Sequence, residues 1–306
     1  IAAVDLGTNS IRLLLCQVED REFKQKKKEV ITTRIGKNLL ETNTMSDKAM
    51  TKNIEALRYF KNKSESFGAR ELIVIATSAV REASNKDIFL QKVKEETNID
   101  IKVIDGKEEA YIGMLGVTYD ICQEEDILIL DIGGGSSELI LSKGRKIKYS
   151  DSVDVGAVKI TERFISSNPI TDTDISGLSK HIDKSFEKSI EFLNKENIGK
   201  LIAIGGTATT LAGIFHEIDI YSQDKIHNTI LDNTFLEDAF ERLRTMGLKE
   251  RYEVKGLEKE RADIIPAGIY IIKSIMEKLN KDKIFVSDND NLEGAVIRYS
   301  KAFNVS

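Results

Sequence analysis

The chain has 306 residues, 41% hydrophobic and 31% charged, with a formal net charge of −5. That length suits two domains with sizeable cores, and the balance is that of an ordinary globular protein. The acidic total disfavours a nucleic-acid-binding face, and no apolar run reaches the roughly 20 residues needed to span a bilayer.

In chain order, residues 1–18 read as a hairpin around an Asp-x-Gly turn that starts at Asp5, and residues 23–35 as a third strand with a lysine-rich start. Met50, Ile54, Leu57 and Phe60 recur at helical spacing over 46–67, with Ser46 or Asp47 as cap and Gly68 as stop. Residues 71–76 form a buried strand that delivers Thr77, Ser78 and Arg81 to its carboxyl end, where α/β folds place ligands. A helix over 86–97, a short strand over 101–104 and a helix over 105–117, opening with Glu108 and Glu109, follow. A second part starts near Asp120: three strands over 127–149, helices over 156–166 and 173–194, and a strand over 201–204 that ends at Gly205 and Gly206. A helix then opens at Thr207, with phosphate suited to its N-terminus, although an ordinary strand-to-helix turn looks the same. Helices around 234–245 and 258–279, a strand over 284–287 and a last helix over 292–302 complete the chain. The expected domains are 1–119 plus 292–306, and 120–291, with hinges near 117–125 and 288–292.

One stretch organises the rest: DIGGGSSELIL, Asp131 to Leu141. An apolar strand runs into an aspartate, then Gly133, Gly134 and Gly135, then Ser136 and Ser137, then a second apolar run. Glycines let the backbone take φ > 0 and bring N–H groups close to a ligand, and successive N–H groups make an anion nest. Asp131 at the strand end suits Mg²⁺ held through water. Taken alone, the stretch reads either this way or as a glycine-rich hairpin with a capping aspartate. It occurs twice, however. In AAVDLGTNSIRLLL, Asp5 matches Asp131, Gly7 matches Gly133 and Ser10 matches Ser136, with Thr8 and Asn9 between. Two copies point to an internal duplication.

Two cysteines, Cys16 in an apolar strand and Cys122 near a loop, form neither a disulfide framework nor a metal site. The expected setting is a reducing cytoplasm, with no signal peptide. His181, His216 and His227 have no ligand spacing, which argues against zinc or a histidine nucleophile. Lys24, Lys26, Lys27 and Lys28 are read either as a solvated hairpin or as a path for a phosphate chain. By local rules Glu109 sits in a helix first turn, where a carboxylate favours the macrodipole.

The duplicated pattern resembles the sugar kinase, Hsp70 and actin superfamily. Within it the chain resembles the exopolyphosphatase / guanosine pentaphosphate phosphohydrolase family, in the short two-domain form. The resemblance rests on DLGTNSIRLL from Asp5, ATSAVREA from Ala76, DGKEEAYIGMLGV from Asp105, DIGGGSSEL from Asp131, GAVKITERF from Gly156, IGGTATTLA from Ile204 and RADIIPAG from Arg261. It implies an α/β, duplicated actin-like (ribonuclease H-like) fold with an interdomain cleft. It also implies a Mg²⁺-dependent phosphoanhydride hydrolase, with Mn²⁺ as an alternative ion, releasing terminal orthophosphate from inorganic polyphosphate, guanosine pentaphosphate or both. Glu109 would be the catalytic base, Asp131 a metal and water-orienting residue, and Arg81 the partner of phosphate oxygens. Asp5, Asp131 and Glu109 are the expected metal residues. Gly7, Thr8, Asn9, Ser10, Gly133, Gly134, Gly135, Ser136, Ser137, Gly205, Gly206 and Thr207 are the expected phosphate-binding residues. Partners are the substrate and, as a candidate, a second copy of the chain, with neither nucleic acid nor membrane. The family's G-L-R-E-G stretch reads DNLEG here, Asp290 to Gly294, so its arginine and first glycine are missing. Two rivals remain: an ATP-dependent small-molecule kinase of the same superfamily, and a non-catalytic protein that binds an alarmone or polyphosphate.

Overall fold

An unbroken buried run makes β1 (Ala2–Leu6) a strand covered on both faces. Alternation sends Ala2, Val4 and Leu6 to one face and Ala3 and Asp5 to the other. The computed structural model describes residues 1–121, 124–218 and 221–303, so Cys122 lies outside the described residues. Two compact units are formed, Ile1–Tyr119 with Asn289–Ser306, and Asp120–Asp288. Residues 289–291, expected in the second domain, fall in the first because Asn289 and Asp290 bond to side chains of its sheet.

In the first unit the sheet order is β3-β2-β1-β4-β5, with β2 (Ser10–Glu19) and β3 (Glu22–Thr32) antiparallel and β4 (Leu72–Ala76) and β5 (Lys102–Val103) parallel. Helices α1 (Leu39–Thr42), α2 (Asp47–Ser66), α3 (Ser78–Glu82), α4 (Lys86–Thr97) and α5 (Gly106–Val117) follow, and α13 (Asn291–Tyr299) returns to this unit. The Ala2/Val4/Leu6 face packs with Ile54, Leu57 and Phe60 of α2 and with Phe89 and Val93 of α4. The opposite face packs Ala3, Leu14 and Cys16 against Leu292 and Val296 of α13. Helices α5 and α13 cross backbone to backbone: a Cβ at Gly116 would lie 2.0 Å from the Asp290 carbonyl, and one at Gly294 would lie 1.9 Å from that of Ile112.

In the second unit the order is β10-β11-β9-β6-β7-β8, and its last four strands read backwards repeat the first unit's β3-β2-β1-β4 pattern. Its strands are β6 (Asp126–Ile132), β7 (Ser137–Lys143), β8 (Lys146–Val153), β9 (Lys200–Ile204), β10 (Ile230–Asp232) and β11 (Lys283–Val286). Its helices are α6 (Ala157–Phe164), α7 (Asp172–Leu193), α8 (Gly205–Phe215), α9 (Gln223–Ile226), α10 (Asn233–Thr245), α11 (Leu248–Arg251) and α12 (Ile265–Lys278). This is the duplicated actin-like α/β fold. The helix expected over 258–279 starts only at Ile265, where Pro266 sits in the first turn and needs no N–H partner. Residues 259–261 form a separate 3₁₀ turn. No helix among the described residues is long and apolar enough to cross a membrane.

Candidate functional site

The two Asp-x-Gly turns repeat down to their hydrogen bonds. Gly7 N–H donates to the Ser10 carbonyl at 3.1 Å, and Gly133 N–H to that of Ser136 at 3.0 Å. The segment after each third strand then caps the turn. In the first unit, Arg34 N–H donates to Asn9 O (2.8 Å) and Gly36 N–H to Thr8 O (3.0 Å). In the second, Ala157 N–H donates to Gly133 O and Val158 N–H to Gly134 O, both at 2.9 Å. The expected φ > 0 is not how these glycines work, because none of Gly7, Gly133, Gly134 and Gly135 is among the positive-φ residues. They serve close approach instead: a Cβ at Gly156 would stand 2.4 Å from the Gly134 carbonyl.

The first unit holds Glu109 and Arg81. β4 ends at Ala76 and hands over directly to α3, which carries Arg81. Asp105 caps α5 by accepting from the Glu108 N–H at 2.9 Å. The two glutamates then part. Glu108 turns outward to Arg298 Nε (2.9 Å) and the Tyr299 hydroxyl (2.7 Å), whereas Glu109 is buried, 6% exposed. Arg81 Nη1 donates to Glu109 Oε2 and to the Ile104 carbonyl, both at 2.9 Å. Thr8, Asn9 and Ser10 are all buried, and Asn9 Nδ2 has no hydrogen-bond partner among the described residues. Asp5 Oδ2 accepts from Arg12, whose other nitrogen donates to Asp290. Burial lifts the Asp5 carboxyl above its usual range more strongly than Arg12 pulls it down. At Asp290 burial also acts upward, but Arg12, Lys28 and the Leu292 N–H outweigh it and hold that carboxyl below its usual range.

In the second unit Asp131 ends β6, and Gly205, with φ of 80°, passes so close that a Cβ there would lie 2.5 Å from Asp131 Oδ1. Helix α8 starts at this glycine, two residues before the expected Thr207. Thr207 Oγ1 donates to the Ile132 carbonyl at 3.0 Å. The hydroxyls expected to face phosphate are committed elsewhere: Ser136 donates to Glu138 (2.8 Å), and Ser137, fully buried, donates to the Val155 carbonyl. The RADIIPAG stretch carries a residue that its local pattern does not mark. The guanidinium of Arg261 lies over Gly206, where a Cβ would be 2.1 Å from it, and Glu258 holds its Nε at 2.9 Å. A cavity of about 350 Å³ opens beside α8, lined among others by Thr209, Thr210, Tyr221, Tyr252, Lys255 and Glu258.

The lysine-rich strand is neither a solvated hairpin nor an open path throughout. Lys26 and Lys28 reach the fully buried Glu293 at 3.1 and 3.0 Å, Lys26 also donates to Asn289, and Lys24 pairs with exposed Glu22. Among the described residues no three His, Cys, Asp or Glu side chains gather as a protein-only metal cage. Mg²⁺ seldom needs one, since it keeps several waters and takes one or two carboxylates plus phosphate oxygens. The buried Asp5 Oδ1, which has no hydrogen-bond partner among the described residues, and the Gly205 approach to Asp131 both fit such an ion or its waters.

The sequence model of the Ppx/GppA phosphatase family matches residues 16–302. The chain is 34% identical to a bifunctional 3-dehydroquinate synthase/phosphatase of Fusobacterium nucleatum, over 97% of this chain and 46% of that protein. It is 27% identical to exopolyphosphatase 2 of Mycobacterium tuberculosis, over 97% of both, and 27% identical to a guanosine-5'-triphosphate,3'-diphosphate pyrophosphatase of Vibrio atlanticus, over 96% of this chain and 58% of that one. The chain thus spans about half the length of the first and third of these relatives. Among solved structures, a Ppx/GppA enzyme of Aquifex aeolicus is 28% identical with a TM-score of 0.81, covering 97% of this chain and 98% of its own. An exopolyphosphatase of Cytophaga hutchinsonii is 26% identical with a TM-score of 0.89, covering 100% of this chain and 98% of its own.

Proposed function

Since the chain belongs to the Ppx/GppA phosphatase family, we propose that it is a phosphoanhydride hydrolase that releases terminal orthophosphate from inorganic polyphosphate, guanosine pentaphosphate or both. The observation that carries this reading is the buried Glu109 carboxylate held by Arg81 at the carboxyl end of β4. A general base must be rotationally fixed and near water, and Arg81 fixes this one. In the proposed reaction Glu109 takes a proton from the attacking water at a carboxylate oxygen, and Arg81 keeps it oriented and offers its remaining N–H groups to phosphate oxygens. In the first unit Asn9 Nδ2 and the remaining backbone N–H groups of the Gly7 turn, and in the second unit Arg261 and the remaining backbone N–H groups of the Gly133–Gly135 turn, are the proposed donors to phosphate. Asp131 of the second unit is the carboxylate proposed to hold Mg²⁺ or Mn²⁺ directly, and the ion when bound would neutralise charge on the phosphoryl oxygens. Asp5 and Glu109 of the first unit, each already held by an arginine, are proposed to act toward metal-bound water rather than as direct ligands.

The cavity beside α8 favours a nucleotide among the substrates. It begins at Thr209 and Thr210, about one helical turn from the Gly205–Thr207 start of α8. Its tyrosines and charged rim suit a purine base, which inorganic polyphosphate lacks. Phosphate release from polyphosphates of defined length, guanosine pentaphosphate and ATP, measured side by side, tests the assignment. Release from none of them overturns it, and ATP turnover that requires an added sugar indicates the kinase rival.

A further inference from the structure

Strand register places Asp5 directly across from Arg12 in the first hairpin and Asp131 directly across from Glu138 in the second. The backbones are duplicates, but at this pair the charge is reversed. Glu138 is almost fully buried and accepts from the hydroxyls of Ser136 and Ser152, both at 2.8 Å. Arg12 instead spans two carboxylates: Nη2 donates to Asp5 Oδ2 and Nη1 to Asp290 Oδ2. Asp290 is itself fixed, because its Oδ1 caps α13 by accepting from the Leu292 N–H at 2.9 Å, and its N–H donates to Glu293 Oε2 at 3.1 Å. The guanidinium is therefore pinned from β1 and from the head of α13. One oxygen of Asp5 already carries a cationic partner, while the other, Oδ1, is buried with no hydrogen bond among the described residues.

We propose that Arg12, pinned by Asp290, is a positioning residue that neutralises Asp5 and restricts it to orienting a water, so that Asp5 does not ligate the divalent cation directly. The proposal rests on the divalent-cation reading above. A dication and a guanidinium repel each other, and a carboxylate already held by arginine is a poor direct ligand for an ion that binds through charge. An unpartnered buried oxygen still suits a water hydrogen. The same arrangement gives the DNLEG segment a role, since the Asp290 carboxylate at its start locks Arg12.

The test is the double variant Arg12→Met with Asp290→Asn. It removes one positive and one negative charge, keeps an apolar stem where the arginine lay and keeps a helix cap. Mn²⁺ binding is measured calorimetrically in the presence of inorganic phosphate, together with kcat, KM and the melting temperature. Release of Asp5 predicts Mn²⁺ binding at least fivefold tighter than wild type, with kcat at least tenfold lower and KM changed less than threefold. A folded double variant whose Mn²⁺ affinity is unchanged or weaker overturns the proposal, since a merely structural clamp would move only the melting temperature. If the double variant does not fold, Arg12→Lys keeps the charge but cannot span both carboxylates. It should hold Mn²⁺ affinity within twofold while kcat drops, and tighter binding in it overturns the proposal. Wild-type activity without any detectable Mn²⁺ or Mg²⁺ binding would refute the divalent-cation reading, and this proposal with it.

Discussion

Arg81 and Glu109 form an ion pair at 2.9 Å inside the first unit, with the glutamate buried and the arginine also anchored on the Ile104 carbonyl. The pair links β4, through α3, to the first turn of α5, so the orientation of the proposed base depends on both elements. Glu109→Gln keeps the shape and a hydrogen-bond acceptor but not the basicity. Turnover should fall by about 10²-fold or more, with substrate still bound. Arg81→Lys should retain charge but lose the fork, lowering kcat roughly tenfold. Steady-state kinetics with a calorimetric binding control checks both, and near-normal turnover in folded Glu109→Gln would leave this residue as a helix-terminus carboxylate only.

Chelation should abolish phosphate release, and Mg²⁺ or Mn²⁺ should restore it. Asp131→Asn should lower kcat by at least tenfold and raise the metal concentration needed for half-maximal rate. Full activity in excess chelator would remove the metal role.

Replacing Tyr252 tests whether the cavity beside α8 reads a nucleoside. Tyr252→Ala alters the rim of the cavity beside α8 without touching either glycine turn. It should lower kcat/KM for guanosine pentaphosphate about tenfold and leave short-chain polyphosphate within twofold. Equal losses on both substrates would show that the cavity does not read the nucleoside.

Lys26 and Lys28 should act on stability rather than on polyphosphate. Both compensate Glu293, which is fully buried. Removing both partners leaves an uncompensated buried charge, so Lys26→Gln with Lys28→Gln should destabilise the first unit by about 3 kcal/mol. Lys24→Gln with Lys27→Gln should change stability by less than about 0.5 kcal/mol. Denaturant unfolding of the two double variants separates these outcomes, and similar midpoints would reject the assignment.

Cys16 sets a pH dependence. Burial pushes its thiol from 9.0 to about 11. The folded chain thus keeps the neutral thiol where the unfolded chain ionises, and stability falls as pH rises from about 9 to about 11. The full effect is roughly 2 to 3 kcal/mol. Cys16→Val should be less sensitive over that window by this amount, measured as the difference between the two unfolding free energies.

Much of this protein was legible in one dimension, because its signals are local. Asp-x-Gly turns between apolar runs, helical spacing over 46–67 and the Ser46 cap depend on neighbours within a few residues, and each formed where expected, with Ser46 accepting from the Ala49 N–H at 3.2 Å. The duplication was visible for the same reason, since matched strands impose matched turns. What only the tertiary structure decided was which like residues differ. Glu108 and Glu109 are adjacent, yet the pitch of α5 turns one to the Arg298/Tyr299 edge and buries the other against Arg81. Lys24, Lys26 and Lys28 share a strand, yet only the latter two meet Glu293, because α13 returns to the sheet from nearly 270 residues later in the chain. Arg12 and Asp290 meet by the same return, and Arg261 reaches Gly206 only through the packing of the 259–261 turn on α8. Charge compensation across such distances has no sequence period, so burial and the path of the backbone determine it.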